Sequence, residues 1–375
     1  MRSIALLTHG GVDPPGEGVH VPFLCALISR LAEFFAITVY TFGPPSDHAA
    51  SLSLGRARVT RIPPSPLLPF RLYALWNAVA LDHHRTAYDL VHGIWAIPAG
   101  VLAVAIGGKH KIPSAISLHG AETARLASIS YGAMRREPER SMVRWACRRA
   151  DLLFVLSNHQ RHALTDCGVL RDDVVITPPG AEPSFLATEQ RRPPDGAVHI
   201  LHVANLTEVK DQSTLLRAFA SISREREAFL RIVGADYMDG AIQRLAGSLG
   251  VGSRVKFTGY VPHEQMRSHY RWAHLILQTS HHEAGGVAVA EAAAARVVVC
   301  GTATGLLADL AETSAVAAPP GDAEGLSRAV LALLREPERF MRIQQCAWEW
   351  ASRNTVDSAA ALIADAYERT LSPAT

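Results

Sequence analysis

The stretch Ser280-His-His-Glu-Ala-Gly-Gly-Val-Ala-Val-Ala-Glu-Ala292 places two glutamates, Glu283 and Glu291, on either side of a glycine pair. It follows an apolar segment that is typical of a buried strand, and its alanine-rich second half is typical of a helix beginning near Gly285 and Gly286. A strand, a glycine turn and a helix N-terminus form an anion site, because free backbone N–H groups and the positive end of the helix dipole point at the turn. The stretch therefore predicts a phosphate-binding loop flanked by carboxylates.

The bulk composition limits the class of protein. A chain of 375 residues predicts two domains. Its 37 Lys+Arg against 35 Asp+Glu give a formal net charge of +2, which excludes a strong basic field for nucleic acid. The five cysteines are scattered and form no CxxC pair, so they favour neither a disulfide framework nor a zinc site. The apolar run at the N-terminus is too short for a signal peptide, and we expect a cytoplasmic protein.

Apolar segments of strand length alternate with helical ones along the whole chain, which is typical of parallel sheets covered by helices. The pattern occurs twice. In the first half the predicted strands are 4–7, 37–40, 90–91, 115–118, 152–156 and 174–176; in the second half they are 198–203, 229–233, 255–257, 275–277, 297–299 and 315–317. The uncharged run 90–108 contains two glycines and a proline early on, so it predicts a strand, a turn and a buried helix rather than a membrane span.

The two halves are predicted to be Rossmann-like, doubly wound domains. A charged segment with two adjacent prolines, 186–197, predicts the linker between residues 1–185 and residues 198–355. Two such domains facing each other would leave a cleft at the carboxyl ends of their strands, where sheets of this kind bind ligands. The residues that follow strands are therefore the candidate site residues.

Two strand ends in the first half carry candidate residues. Gly10 and Gly11 lie in a loop rich in glycine and proline after the first strand, which suits either a phosphate cradle or an ordinary tight turn. The loop departs from the dinucleotide-binding fingerprint, because Val21 occupies the third glycine position. His119 follows another strand; it is either a ligand-facing histidine or a packing residue.

In the second half, Asn205 and Lys210 follow the first strand, and Tyr260 follows the third. A lysine in that place neutralises a diphosphate, unless it is simply a solvated surface residue. Carboxylates near an anion site are suited to sugar hydroxyls, because the two carboxylate oxygens can accept hydrogen bonds from two hydroxyls at once. The alternative is that Glu283 and Glu291 are ordinary charges near a helix N-terminus.

These features together resemble the retaining GT-B glycosyltransferases of the family-4 type, also called glycosyl transferases group 1. The E-x7-E motif of that family matches Glu283 to Glu291, followed by a buried strand and the turn at Gly305. The first half is similar in its order of features: a glycine loop, a His-Gly pair at His119, and the turn Pro178-Pro-Gly-Ala-Glu182. The resemblance implies a GT-B fold in which the last helix, 356–372, crosses back to the first domain.

The resemblance also implies a role for each candidate residue. Glu291 would hold the ribose hydroxyls of a nucleotide, Glu283 would contact the transferred sugar near its reacting carbon, and Lys210 would bind the diphosphate. The remaining residues would surround the same donor: the amides of Gly285, Gly286 and Val287 at the diphosphate, Gly10 and Gly11 closing over it, His119 beside the sugar and acceptor, and Tyr260 and Val261 framing the base.

Three positions depart from the family pattern. Asn205 stands where the family has a second cation for the diphosphate, so the charge balance at the leaving group differs. Gly285 replaces a large apolar residue, and Arg296 stands where a glycine usually ends the helix. The last two changes remove no chemical group.

The implied activity is a retaining transfer from a nucleotide-sugar, with UDP as the expected nucleotide, to a sugar, lipid-linked or small-molecule acceptor. We expect no metal and no cofactor, because lysine and helix-end amides can meet the charge of a diphosphate leaving group. The chain also contains no Asp-x-Asp triplet. Two alternatives remain open: a GT-B epimerase or hydrolase of sugar nucleotides, and a non-catalytic nucleotide-sugar-binding subunit.

A basic stripe suggests a place for the acceptor side of the reaction. Arg136, Arg140, Arg144 and Arg148 recur every four residues, beside apolar residues that include Trp145. Such a helix either rests on an anionic membrane surface or packs its apolar side on the sheet with a solvated basic face. The membrane alternative would make the protein peripheral at the inner membrane face.

Overall fold

The computed structural model describes residues 1–13, 20–42, 54–62, 68–311 and 313–372. The chain divides into two compact units. One comprises Met1–Pro178 together with Val356–Thr375, and the other comprises Pro179–Thr355. Each unit is built around its own parallel sheet.

The first unit contains a seven-stranded sheet in the order β3-β2-β1-β4-β5-β6-β7. Its strands are β1 (Ser3–Leu7), β2 (Ala36–Phe42), β3 (Arg58–Ile62), β4 (Leu90–Ile94), β5 (Ser114–Ser117), β6 (Leu152–Val155) and β7 (Val175–Ile176). Its helices are α1 (Pro22–Phe34), α2 (Leu68–Thr86), α3 (Val101–His110), α4 (Glu139–Arg149), α5 (Asn158–Asp166) and α13 (Val356–Leu371). The strand order reverses between β1 and β4, the arrangement that opens a crevice at the carboxyl ends of those two strands.

The second unit repeats this order with six strands, β10-β9-β8-β11-β12-β13. The strands are β8 (Val198–Val203), β9 (Ala228–Val233), β10 (Val255–Phe257), β11 (Leu275–Gln278), β12 (Val298–Thr302) and β13 (Ala315–Ala318). The helices are α6 (Gln212–Glu225), α7 (Ala241–Ser248), α8 (Met266–Trp272), α9 (Val287–Ala294), α10 (Gly305–Leu310), α11 (Ala323–Leu334) and α12 (Pro337–Arg353). Here the strand order reverses between β8 and β11.

The predicted α/β class with two parallel sheets is confirmed. All twelve predicted strands coincide with observed ones, and β3 is the strand that the sequence did not predict. β3 has the sequence Arg-Val-Thr-Arg-Ile, and it is a partly exposed strand at the sheet edge. Its arginines interrupt the continuous apolar run that identifies a strand buried on both faces.

The predicted membrane-length run resolves as expected into a strand, a turn and a helix. It forms β4, a single turn over 96–100, and α3. Among the described residues, no helix combines the length and the hydropathy needed to cross a membrane.

The segment predicted as a linker, 186–197, belongs to the second unit, whose boundary lies between Pro178 and Pro179. Arg191 explains the difference. Its Nη1 donates to three main-chain carbonyls at the end of α8, including Tyr270 O at 2.9 Å and Ala273 O at 2.6 Å. Its own amide donates to Gln344 Oε1 at 3.0 Å. The segment is therefore anchored by the hydrogen bonds of Arg191 together with Leu186, which packs against the core of the unit.

The predicted basic stripe differs from a free cationic face, and its first member, Arg136, precedes α4. Arg144 Nε donates to Cys167 O at 2.6 Å, and Arg148 Nη2 donates to Gly168 O at 2.5 Å. These carbonyls lie just beyond the C-terminus of α5, where helices leave carbonyl groups unpaired and cations are favoured. Arg140 pairs with Glu137 at 2.6 Å. Three of the four arginines thus have partners within the unit.

The last helix, α13, packs in the first unit, and its Tyr367 is fully buried. The Tyr367 hydroxyl is hydrogen-bonded to Nδ1 of His92 in β4, whose Nε2 is 2.9 Å from Ser117 Oγ in β5. Burial lowers the pKa of His92 to about 3, and the charge of the nearby His119 contributes. His92 is therefore a neutral residue inside the sheet, held by hydrogen bonds to the helix on one side and the next strand on the other.

Tyr367→Phe tests this connection between α13 and the sheet. It leaves Nδ1 of the buried His92 without its partner, so we expect a loss of about 1–3 kcal/mol in the free energy of unfolding of the first unit. Calorimetry should show a lower Tm for that unit, by roughly 2–4 °C per kcal/mol. Tyr237→Phe, at an exposed tyrosine, is the matched control and should leave Tm unchanged. Equal Tm values for the two variants would contradict the assignment.

Candidate functional site

The loops that follow β8 and β11 lie together at the carboxyl edge of the second sheet. The amide of His281 donates to Val209 O at 2.8 Å, and Thr279 Oγ1 donates to Lys210 O at 3.2 Å. Because β8 and β11 flank the reversal of strand order, their loops leave in opposite directions and open a crevice. The structure therefore brings the Lys210 loop and the Glu283 loop to the place where a doubly wound sheet binds ligands.

Lys210 and Glu283 form an ion pair in this crevice. Lys210 Nζ lies 2.5 Å from Glu283 Oε1, and Ser280 Oγ donates to the same oxygen at 2.7 Å. Burial by itself would raise the pKa of the Glu283 carboxyl, but the charge of Lys210 and the two hydrogen bonds outweigh it and lower the pKa. Glu283 is consequently an anion at neutral pH, and Lys210 is its counter-cation.

The glycine turn between the two glutamates is set by close backbone contacts. Gly286 caps α9 with φ +110°, a conformation that favours glycine. The amide of Leu306 donates to Gly285 O at 2.6 Å. Gly305 has φ +53°, and a Cβ there would lie 2.5 Å from Gly285 O and 2.8 Å from Glu283 Cβ. The turn at Gly305 is thus packed directly behind the turn that presents Glu283.

Glu291 lies on α9, and only 5% of its surface is exposed. Tyr270 OH on α8 donates to Glu291 Oε2 at 2.7 Å, and His263 Nε2 lies 2.7 Å from Glu291 Oε1. A buried carboxylate needs donors of this kind, because an unpaired charge in the interior is strongly destabilising. His263 and Tyr270 were not among the predicted site residues, since neither follows a recognisable motif.

The other predicted residues of this unit lie around the same loops. Asn205 is exposed, and its Oδ1 accepts from the Ala235 amide at 3.0 Å. Its side chain therefore ties the loop after β8 to the loop after β9 and brings no charge. Tyr260 is 53% exposed, whereas Val261 packs against the core. Their role at a nucleotide base stays a prediction.

In the first unit, the glycine loop follows β1 at the corresponding reversal of strand order. Thr8 Oγ1 donates to Gly10 O at 2.6 Å. Gly11 has φ +87°, and its carbonyl accepts from Val21 N at 2.9 Å. Gly10 and Gly11 are both buried, and the part of the loop up to residue 13 is held by hydrogen bonds to its own backbone, whereas residues 14–19 lie outside the described residues.

His119 follows β5, with its ring 5.9 Å from Trp95 and 6.2 Å from Phe23, measured between ring centroids. Burial lowers the pKa of His119 to about 4. A neutral imidazole at physiological pH can donate or accept a hydrogen bond, but it supplies no charge to a leaving group.

Glu122 and Trp95 also shape this edge of the first sheet, and the sequence did not point to them. The Glu122 carboxyl is buried and accepts from the amides of Ala96 at 3.3 Å and Gly120 at 2.8 Å, which ties the turns after β4 and β5 together. Burial raises the pKa of Glu122, although its hydrogen bonds to amides oppose this. Trp95 has φ +67°, a strained value for a residue with a side chain, and its ring lies 4.5 Å from that of His9.

In the part of the chain that the structure describes, no group of three or more His, Cys, Asp or Glu side chains is arranged to hold a metal ion.

Two family models match successive parts of the chain. The model described as Glycosyltransferase Family 4 matches residues 22–185, and that of Glycosyl transferases group 1 matches residues 187–350. The chain belongs to the group 1 glycosyltransferases. Both Glu283 and Glu291 lie within the second matched range.

Curated relatives of this group 1 glycosyltransferase include two sugar transferases. The 2-deoxystreptamine glucosyltransferase of Streptomyces kanamyceticus is 26% identical over 346 residues, which is 84% of this chain and 88% of the relative. The D-inositol 3-phosphate glycosyltransferase of Geodermatophilus obscurus is 25% identical over 398 residues, covering 95% and 87% of the two chains.

Solved structures show the GT-B fold across nearly the whole chain. Sucrose-phosphate synthase from Thermosynechococcus elongatus superposes with a TM-score of 0.82 at 19% identity, covering 98% of this chain and 99% of the other. HepE of Anabaena, in complex with UDP and glucose, superposes with a TM-score of 0.79 at 18% identity, covering 98% and 100%. Together with the two parallel sheets, these matches identify the fold of this glycosyltransferase as GT-B.

Lys210→Met tests the ion pair. Because the folded-state pKa of Glu283 is lowered, the pair stabilises the second unit above the carboxyl's unfolded pKa, and this contribution is lost as pH falls through the folded pKa. We expect Lys210→Met to cost about 1–3 kcal/mol at pH 7, less than a fully buried pair would because both side chains are partly exposed. The loss of Tm should be smaller at pH 4.

Arg328→Met is the matched control, because the Arg328–Glu324 pair is exposed on α11. Its removal should change stability by less than about 0.5 kcal/mol at either pH. If Lys210→Met behaved like Arg328→Met at pH 7, the ion pair would not stabilise the unit.

Proposed function

We propose that this enzyme transfers a sugar from a nucleotide-sugar, with UDP as the nucleotide, to an acceptor hydroxyl, with retained anomeric configuration and without a metal ion. The observation that carries the proposal is the Lys210–Glu283 ion pair beside the glycine turn that starts α9. In this arrangement, one cation, one anion and the amides of a helix N-terminus lie within the same crevice. The reaction is assigned to the cytoplasm.

Lys210 and the amides of Gly286 and Val287 are suited to the diphosphate. The charge that develops on a departing diphosphate is stabilised by fixed donors, and a lysine supplies a compact positive charge for this purpose. The helix N-terminus adds backbone N–H groups and the positive end of the dipole. A leaving group stabilised in this way needs no metal ion. Asn205 offers no charge here, so Lys210 carries more of this task than in relatives with a second cation.

Glu283 is suited to the transferred sugar. Since its pKa is lowered, the carboxylate accepts hydrogen bonds from sugar hydroxyls rather than donating a proton. An anion near the reacting carbon also stabilises the positive charge of an oxocarbenium-like state. In the proposed front-face reaction, the bond from the sugar carbon to the diphosphate breaks on the side where the acceptor oxygen bonds. The acceptor proton passes to the departing phosphate oxygen.

The choice of donor and acceptor rests on relatives. The structure of HepE contains UDP and glucose, which supports a UDP-sugar donor. Two relatives are named for transfer to 2-deoxystreptamine and to D-inositol 3-phosphate, both of which are hydroxylated six-membered rings. We therefore favour a small cyclic polyol or sugar as acceptor over a lipid-linked one. The neutral His119 would serve as a hydrogen-bonding group beside it.

Glu283→Gln separates catalysis from binding. We expect turnover to fall by about 10²–10³-fold, as for removal of one group that stabilises a transition state. The Kd for UDP, measured by calorimetry, should change by less than about threefold, because a group that acts in the transition state contributes little to ground-state binding. Glu324→Gln, on the exposed face of α11, is the control and should keep full turnover. Undiminished turnover in Glu283→Gln would contradict the proposed role.

Two measurements test the proposed stereochemistry and the proposed independence of a metal ion. NMR of the product should show the anomeric configuration of the donor, and EDTA should leave the rate unchanged. A panel of UDP-, GDP- and ADP-sugars with cyclitol acceptors identifies the substrates. Release of free sugar or an epimerised nucleotide-sugar at full rate without acceptor would instead identify a hydrolase or an epimerase.

A further inference from the structure

The Glu291 carboxylate is held by one protein donor on each oxygen. Tyr270 OH donates to Oε2 and His263 Nε2 lies at the same distance, 2.7 Å, from Oε1. An ionised carboxylate has about four lone-pair sites, so two donors occupy about half of its capacity. The remaining capacity, one site on each oxygen, matches the two neighbouring hydroxyls of a ribose.

His263 is held between two carboxylates. Its Nδ1 lies 3.6 Å from Glu182 Oε1, and its ring centroid lies 5.1 Å from that of Phe185. A neutral imidazole has one N–H and one acceptor nitrogen, whereas the protonated ring has an N–H for each of the two carboxylates. The surroundings therefore fit the protonated ring.

The charged groups that act most strongly on His263 all favour its protonated form. They are Glu291 on α9, Glu182 before Phe185, and the adjacent Glu264. Burial lowers the pKa of His263, but the hydrogen bond and charge of Glu291, followed by the other two acids, outweigh it and raise the pKa above 6.5. Tyr270 keeps its proton throughout, because burial and Glu291 raise its pKa well above 10.

We propose that His263 is a positioning residue for the nucleotide ribose: it bridges Glu291 and Glu182, orients the Glu291 carboxylate, and makes recognition of the ribose hydroxyls depend on its own proton. This inference rests on the proposed function and on the role that the family resemblance implies for Glu291, which is to bind the ribose hydroxyls. With the ring protonated, both donors fix the plane of the carboxylate. When the proton is lost, the charge-assisted bond to Glu291 weakens and the attraction to Glu182 disappears. Ribose recognition should then decline.

The test compares UDP with 2′,3′-dideoxy-UDP by calorimetry from pH 6 to pH 9. The ratio of their Kd values isolates the ribose hydroxyls, because titration of the phosphates affects both ligands alike. In the wild-type protein this ratio should favour UDP at pH 6 and fall as pH rises through the raised pKa of His263. If GDP or ADP binds more tightly than UDP, the same comparison is made with that nucleotide and its 2′,3′-dideoxy analogue.

Three variants give a distinct pattern under this proposal. His263→Ala should weaken UDP binding by about tenfold, the effect of one hydrogen bond to a charged group, and leave dideoxy-UDP binding unchanged. His263→Gln keeps an N–H donor without a titrating proton, so it should restore part of the preference for UDP and make it independent of pH. His162→Ala, at an exposed histidine of the first unit, should match the wild type.

Other outcomes overturn the inference in distinguishable ways. Equal weakening of UDP and dideoxy-UDP by His263→Ala, together with a lower Tm, would show that His263 only supports the fold. A wild-type ratio that does not change with pH would remove the proton dependence. If wild-type protein bound UDP, GDP and ADP no better than it bound free uridine, the proposed function would fail as well.

Discussion

A carboxylate that is buried on folding must receive hydrogen-bond donors or a counter-charge. Two carboxylates of the second unit meet this requirement. Glu283 is balanced by Lys210 and Ser280, and Glu291 by His263 and Tyr270. The two solutions differ chemically. The first is an ion pair whose two side chains both stay partly exposed. At Glu291, a neutral phenol and a histidine orient the carboxylate, and about half of its hydrogen-bond acceptor sites remain open.

The position of these carboxylates follows from the topology of the sheet. Both loops that carry the ion pair leave the sheet where the strand order reverses, so neither is covered by a crossover helix. The helix that follows, α9, starts at a left-handed glycine, and Gly305 packs against the same turn. Ion pair, glycine turn and helix dipole are consequently adjacent, which suits a ligand with a diphosphate and hydroxyls.

The first unit uses a buried carboxylate in a different way. Glu122 accepts from main-chain amides in the turns after β4 and β5, and so fixes two loops relative to each other. Trp95, whose backbone is strained, follows β4 in the same region. Backbone strain of this kind is commonly found at functional sites. Burial keeps His119 and His92 neutral, so neither histidine brings a positive charge to this edge of the sheet.

Much of this was determined by the sequence alone, because it depends on local pattern. The alternation of apolar strands with helices specifies two parallel sheets, and Glu283, the glycine pair and Glu291 are separated by a spacing that a strand, a turn and a helix impose. Lys210 was identifiable because it follows a strand. Only the tertiary structure decided the partners of those residues. His263, Tyr270 and Glu182 lie far from Glu291 or on other elements, and Glu122 bonds to amides brought together by two separate strands. Ionisation depends on burial and on neighbours that folding assembles, so the sequence pattern could name the carboxylates but not the charge, orientation or donors of each.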